Sequence, residues 1–240
     1  MEKLGAFLLN RGRRICMASA GLLIFSVATY FQLQASLGVS PWNSLNQGLS
    51  VRFHITFGMA SILVSMAVIL ADLFLKEHIG IGTFLDAFLV GIGVDVCNSL
   101  NFLPIPSTLF MRLLFIFIGI VIGCFGQALY MKAALSCGPR DAFLVGLGKR
   151  LPKVPIGAVN IMILAVVLLV CLPLKSPIGI GTVICAFGTG IVMEAVFGLL
   201  HFKPRDVVHE GILETCTAMA EAVKKDLASH GHGPLGHGHV

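Results

Sequence analysis

Ile79-Gly80-Ile81-Gly82-Thr83 and, 99 residues further on, Ile178-Gly179-Ile180-Gly181-Thr182 are the same five residues, each leading into a long apolar stretch. Working outward at that spacing, Gly58 meets Gly157, Gly91 meets Gly190, and Asp95 meets Glu194. Upstream the offset is 98: Ala35-Ser36-Leu37 and Pro41-Trp42-Asn43 recur as Ala133-Ala134-Leu135 and Pro139-Arg140-Asp141, with Gly48 against Gly146. One Gly-x-Gly carries no information, but ordered matches across some sixty residues point to two copies of one unit.

The solvent for those units is lipid. Hydrophobic residues make up 56% of the 240 and charged residues 12%, a balance that the surface of a water-soluble domain does not support. Hydrocarbon about 30 Å thick needs roughly 20 apolar residues per helical span. Residues 15–34, 58–75, 79–103, 109–131, 157–174 and 179–200 qualify. Arg11, Arg13 and Arg14 precede the first of them as they would precede a secretory signal, yet no small-residue cleavage site follows, so it reads as a retained helix.

Each copy is thus a long helix, a short Pro-led segment, a second span and a Gly-Ile-Gly-Thr start to a third. Three crossings is an odd number, which turns the second copy upside down, the inverted-repeat plan of many secondary transporters. The expected fold is an all-α integral membrane protein, its six transmembrane helices arranged as two inverted three-helix repeats, each with a short re-entrant or interfacial helix. The alternative is eight spans in parallel repeats. Six spans put Lys76, Lys132, Arg140, Lys149, Arg150 and Lys153 inside against Arg52, Arg112 and Lys175 outside, a stronger inward bias than eight spans give. Residues 139–151 at 1.5 Å per residue also reach only about 20 Å. The predicted organisation is a cytoplasmic tail over 1–14, repeat one over 15–103, repeat two over 109–200, a cytoplasmic amphipathic helix over 203–229 and a disordered His/Gly-rich tail over 230–240. Both termini are expected in the cytoplasm.

A net charge of +5 does not imply nucleic acid, because the cations sit at span ends and in the tails, where positive-inside topology wants them. The seven cysteines lack paired spacing or a CxxC and read as small apolar packers. No HExxH or GxSxG arrangement appears, the glycines follow no strand and precede no phosphate-binding lysine, and four histidines among glycines in the tail are a weak metal cue. No enzyme activity, cofactor or metal is expected.

Candidate binding residues come from polar groups in apolar surroundings. Asp95 and Glu194 are acids within spans at matching places, and a charge at the bilayer centre costs roughly 2.5–3.5 kcal/mol, so such residues are functional candidates by default. The expectation is that they share a polar pathway. Pro41 and Pro139 stand at first helical positions, where a missing N–H costs nothing. Starts at membrane depth would aim partial positive charge into a cavity, beside Asn43 in one copy and Arg140 and Asp141 in the other. Gly80, Gly82, Gly179 and Gly181 are expected to let backbones approach closely, with Thr83 and Thr182 capping the following spans and Asp86 at the capping-box position three residues after Thr83. Gln32, Gln34, Gln127 and Tyr130 put polar groups near span ends, and Trp42 is expected as an interfacial anchor.

At Pro41-Trp42-Asn43, Gly138-Pro139-Arg140-Asp141 and the paired Gly-Ile-Gly-Thr strings, residues 10–200 resemble the YczE-like branch of the YczE/YyaS/YitT bacterial membrane proteins. That resemblance implies a small multi-pass protein of the bacterial inner membrane and carries over no substrate residue. Aspartate is usual in that pattern where this chain has Asn43. The leading expectation is a transporter or channel-like carrier of a small solute, with its site between the copies. The alternative is a membrane scaffold recruiting a soluble cytoplasmic partner through residues 206–228. Besides the bilayer, the expected partners are that solute and either a second copy in a homo-oligomer or the soluble protein.

Overall fold

Apolar stretches without strand-like alternation, broken by proline and glycine, produce helices throughout. The computed structural model describes residues 2–77, 79–201, 217 and 220. The amphipathic segment expected at 203–229, apart from Thr217 and Ala220, and the His/Gly-rich tail lie outside the described residues. Among the described residues the regular elements are α1 (Glu2–Ala35), α2 (Pro41–Phe53), α3 (Phe57–Phe74), α4 (Ile81–Leu100), α5 (Leu109–Lys132), α6 (Pro139–Arg150), α7 (Ile156–Cys171) and α8 (Ile180–Leu199). Five segments are long and apolar enough to cross a bilayer: Leu8–Ala35, Phe57–Phe74, Ile81–Leu100, Leu109–Lys132 and Ile180–Leu199. The apolar α7 is shorter, 16 residues or about 24 Å. Large apolar side chains face outward, Phe74 and Phe187 being 85% and 72% exposed, as lipid requires. The chain is an all-α membrane protein.

Helix starts follow local chemistry. Thr56 and Thr108 accept the backbone N–H of Met59 and Met111 and so cap α3 and α5. Pro41 and Pro139 open α2 and α6. The expected caps at Thr83 and Thr182 stand corrected: α4 and α8 begin a turn earlier, with Gly80 and Gly179 in the cap position. Thr83 Oγ1 accepts the Gly80 N–H at 3.3 Å and Thr182 Oγ1 the Gly179 N–H at 3.3 Å. Partners for the next N–H groups come from elsewhere in the chain, which is why a glycine without a capping oxygen suffices. Ser136 Oγ accepts from Thr83 N at 2.7 Å, and the Leu37 carbonyl accepts from Gly181 N at 2.8 Å.

The helix directions are fixed by contacts. Arg14 donates to the Ala133 carbonyl at 2.8 Å. A Cβ on Gly21 would lie 2.6 Å from the Gly126 carbonyl oxygen, and one on Gly119 would lie 2.8 Å from that of Ala28. The Phe31 and Phe115 rings stand 5.4 Å apart. Rising numbers in α1 therefore meet falling numbers in α5, and the two central helices are antiparallel with backbones nearly touching. Small residues permit such an approach inside a membrane. Each central helix has a parallel companion. Ser26 of α1 lies against Val90 and Gly93 of α4 while Tyr30 reaches Asn101. In the other half, Ile116 of α5 touches Gly181 of α8 and Cys124 lies at Thr189.

The short helices cross between halves. Cys171 of α7 lies 3.9 Å from the Pro41 carbonyl of α2, and Gly48 packs on Ser176. Correspondingly α6 packs on α3, with Gly146 against Glu77. Ser36 and Ala134 share left-handed backbone, φ 50° and 53°, as do Lys76 and Lys175, φ 54° and 51°.

Candidate functional site

The start of α6 carries the densest group of charges among the described interior residues. A Cβ on Gly138 would lie 3.0 Å from Asp86 Oδ2, so the beginning of α6 sits directly on the Asp86 carboxylate of α4. Two residues on, the Arg140 guanidinium lies 5.3 Å from the centre of the Trp42 ring, within cation–π range. The Pro-led starts of α2 and α6 therefore meet. Trp42 is half-buried there, with Leu45, against the buried Val159, Ile163, Val167 and Cys171 of α7, rather than serving as the interfacial anchor expected of it.

Asp86, Arg140 and Asp141 line a small open cleft of about 110 Å³, completed by Gln127 and Tyr130 of α5 and by Leu22 and Phe25 of α1. Its composition is that of a small-ligand site, a mainly apolar wall with a few convergent polar groups. Burial lowers the Arg140 guanidinium below its ordinary range, and the two carboxylates pull it back up. Burial likewise raises the Asp141 carboxyl above its ordinary 3.8 against the pull of Arg140. One cation between two acids can hold a polar solute through charge-assisted hydrogen bonds, and the group could reorganise around a ligand of either sign.

The walls are fixed by backbone contacts. Tyr130 donates to the Ser136 carbonyl at 3.0 Å, Thr83 Oγ1 donates to the Cys137 carbonyl at 2.8 Å, and Arg14 clamps the Ala133 and Ala134 carbonyls. These bonds tie the segment before α6 to α1, α4 and α5, so Arg140 and Asp141 project from a braced frame. Burial pushes the Cys137 thiol in that segment up to about 11, leaving it a thiol rather than a reactive thiolate.

Of the residues picked from sequence, Arg140 and Asp141 come together in the cleft. Asn43 is buried on α2 beside Trp42. Asp95 lies elsewhere: its Oδ1 accepts the Gly58 N–H at 2.7 Å, at the N-terminus of α3. Glu194 is exposed on α8. Neither lines the cleft. Asp86, assigned by spacing to a capping box, is a cleft residue because α4 starts before Thr83, and its presence as one of four acids within spans, with Asp72, Asp95 and Glu194, was the available signal. Two more polar residues escaped notice. Asp72 of α3 and Asn46 of α2 are fully buried, and neither side chain has a hydrogen-bond partner among the described residues.

Residues 12–197 match the model of a family of unknown function, DUF6198. An uncharacterized protein of Haemophilus influenzae is 31% identical over 186 residues, covering 76% of this chain and 83% of its own. Two Bacillus subtilis proteins are similar as well. The uncharacterized membrane protein YczE is 28% identical across 73% of this chain and 81% of its own length. The uncharacterized protein YyaS is 29% identical across 78% and 94%. No solved structure matches.

Proposed function

The chain belongs to the DUF6198 family of unknown function, and on that premise we propose that it carries a small polar solute across the bacterial inner membrane, holding it in the cleft between Asp86, Arg140 and Asp141. The observation that carries this is the ionic group itself. Three ionisable side chains converge on one cleft in a lipid-facing bundle, where each is costly and charge is retained mainly along solute paths. Tyr130 and Gln127 add neutral hydrogen-bond groups beside them. The partial positive charge at the start of α6 suits an anionic group on the solute and the two carboxylates a cationic one, so a solute bearing both fits best.

The topology we propose is six spans in two inverted repeats, both termini cytoplasmic, with α2 and α6 re-entrant. If all eight helices crossed in turn, α1 and α5 would run parallel. Their antiparallel contacts support an even number of crossings between them, α3 and α4, and the parallel pairing of α1 with α4 and of α5 with α8 supports a single crossing between each of those pairs, α3 or α7. On this arrangement the two re-entrant starts meet near mid-bilayer at Trp42 and Arg140, with the cleft on the cytoplasmic side of that contact. Half-helix N-termini converging at the midplane are how broken-helix transporters build their sites.

The test is an untargeted comparison of intracellular solutes in cells lacking the protein, overproducing it, or overproducing Arg140→Ala or Asp141→Asn at matched membrane levels. At least one polar solute should change with the parent protein and revert with both variants. Identical profiles for parent and variants would remove the cleft from the pathway.

A further inference from the structure

In the first half α3 and α4 are locked together at one end. Asp95 of α4 takes the Gly58 N–H of α3 at 2.7 Å, and a Cβ on Gly91 would lie 2.8 Å from the Gly58 carbonyl oxygen. The matching residues 99 positions on are Gly157, Gly190 and Glu194, so the second half owns the same three parts: a glycine near the start of one helix, a glycine on the next, and an acid one turn beyond it. There the parts stand separated. No heavy atom lies within 4 Å of a Cβ built on Gly157 or Gly190, beyond those near in the chain, and both glycines and Glu194 are exposed. The start of α7 has Pro155 in the cap position and no side-chain cap bond, although helix starts leave N–H groups in need of acceptors. A carboxylate exposed on an apolar helix and a helix start short of an acceptor are complementary deficits.

We infer that α7 and α8 close on each other in a second state of this protein, Glu194 docking on the N–H groups at the start of α7 as Asp95 docks on α3. This rests on the inverted-repeat carrier reading above. In that topology the Asp95 lock lies at the outer face and the Glu194 lock at the cytoplasmic face. The observed form is then shut outside and open inside, and exchanging the two locks gives alternating access. Because α7 packs on α6, its movement changes the packing of the helix that bears Arg140 and Asp141, linking the lock to the cleft.

Spin labels on Lys153→Cys and Leu199→Cys, with the native cysteines replaced, measure the α7–α8 separation in the full chain reconstituted in phosphatidylethanolamine and phosphatidylglycerol vesicles. Two distance populations are expected. Glu194→Ala and Gly190→Leu should each reduce the shorter one about tenfold, the scale of one charge-assisted hydrogen bond, and Glu194→Asp should retain it. Gly190→Leu is silent in the observed form, where its side chain meets open space. Asp95→Ala should enrich the shorter population by releasing the outer lock. A single long distance in the parent, or a short one indifferent to Glu194→Ala and Gly190→Leu, overturns the closure. Solute profiles that depend on Arg140 without a second distance sink this inference and leave the carrier standing. A Glu194-dependent short distance without any solute change supports the closure and sinks the carrier.

Discussion

Gly21→Ala adds one methyl group where α1 and α5 cross most tightly. Its Cβ would lie 2.6 Å from the Gly126 carbonyl oxygen and 2.7 Å from the Tyr130 nitrogen, where ordinary contact begins at 3.4 Å. Both neighbours are backbone and cannot turn aside, so the helices must part by about 0.8 Å. Overpacking of this kind costs about 1–3 kcal/mol, and alanine's better helix propensity offsets about 1 kcal/mol of it. The expected net loss is about 1 kcal/mol and at most about 2. Gly12→Ala on the same helix is the control, because a Cβ there meets nothing within 4 Å and only the propensity gain remains. Unfolding of the purified protein by dodecyl sulfate in mild detergent, followed by far-ultraviolet dichroism, reads both. Gly21→Ala should unfold earlier than the parent and Gly12→Ala no earlier. A Gly21→Ala protein as stable as the parent would mean that the two backbones are not in contact.

The same titration tests three further points. Ser136→Ala removes the 2.7 Å acceptor of the buried Thr83 N–H, which keeps only its 3.2 Å bond to the Gly80 carbonyl, and should cost about 1 kcal/mol, whereas exposed Ser99→Ala should change little. Asn46→Leu replaces a buried amide lacking partners with the residue found 98 positions on, Leu144, and should stabilise by about 1 kcal/mol; a loss of that size would mean the amide is occupied in the membrane. Burial raises the Asp141 carboxyl, so its protonated form favours the fold. That contribution is complete below about pH 3.8 and disappears as pH climbs through the raised folded value. Asp141→Asn should therefore be more stable than the parent at neutral pH, and the gap should shrink as pH falls toward about 4. For topology, single cysteines at 52, 76 and 140 in a cysteine-free protein should give external labelling at 52 alone, and the reverse pattern would favour eight spans.

The helices and their starts were legible because they depend on nearby residues. Apolar length gives a span its bounds, and a proline at 41 or 139 needs only its own ring to choose a first-turn position. The Gly-Ile-Gly-Thr strings were read correctly as helix starts but one turn late, since Gly80 works as a cap only because Ser136, 53 residues away, and Thr83 supply the acceptors. That shift hid Asp86. Arg140 and Asp141 were visible as charges beside a helix start, while their common cleft depends on α4 and α5 arriving beside α6. Asp95 and Glu194 show the limit most clearly. An acid in a span looks the same in sequence whether it lines a path or holds another helix, and the Gly58 N–H that receives Asp95 is 37 residues away. Asp72 and Asn46 were passed over because burial of a polar side chain is set by packing between helices, which no local pattern encodes.

Trp42 is the single tryptophan in the chain, and its ring lies beneath the Arg140 guanidinium where the two short helices meet. Tryptophan emission from this protein therefore originates at one place, against the arginine that lines the cleft a solute would occupy. A solute that draws Arg140 aside, or water that replaces it, changes the brightness and colour of that emission without any attached dye. The purified protein can thus be screened against collections of amphoteric metabolites in an ordinary fluorimeter, with Arg140→Ala as the blank.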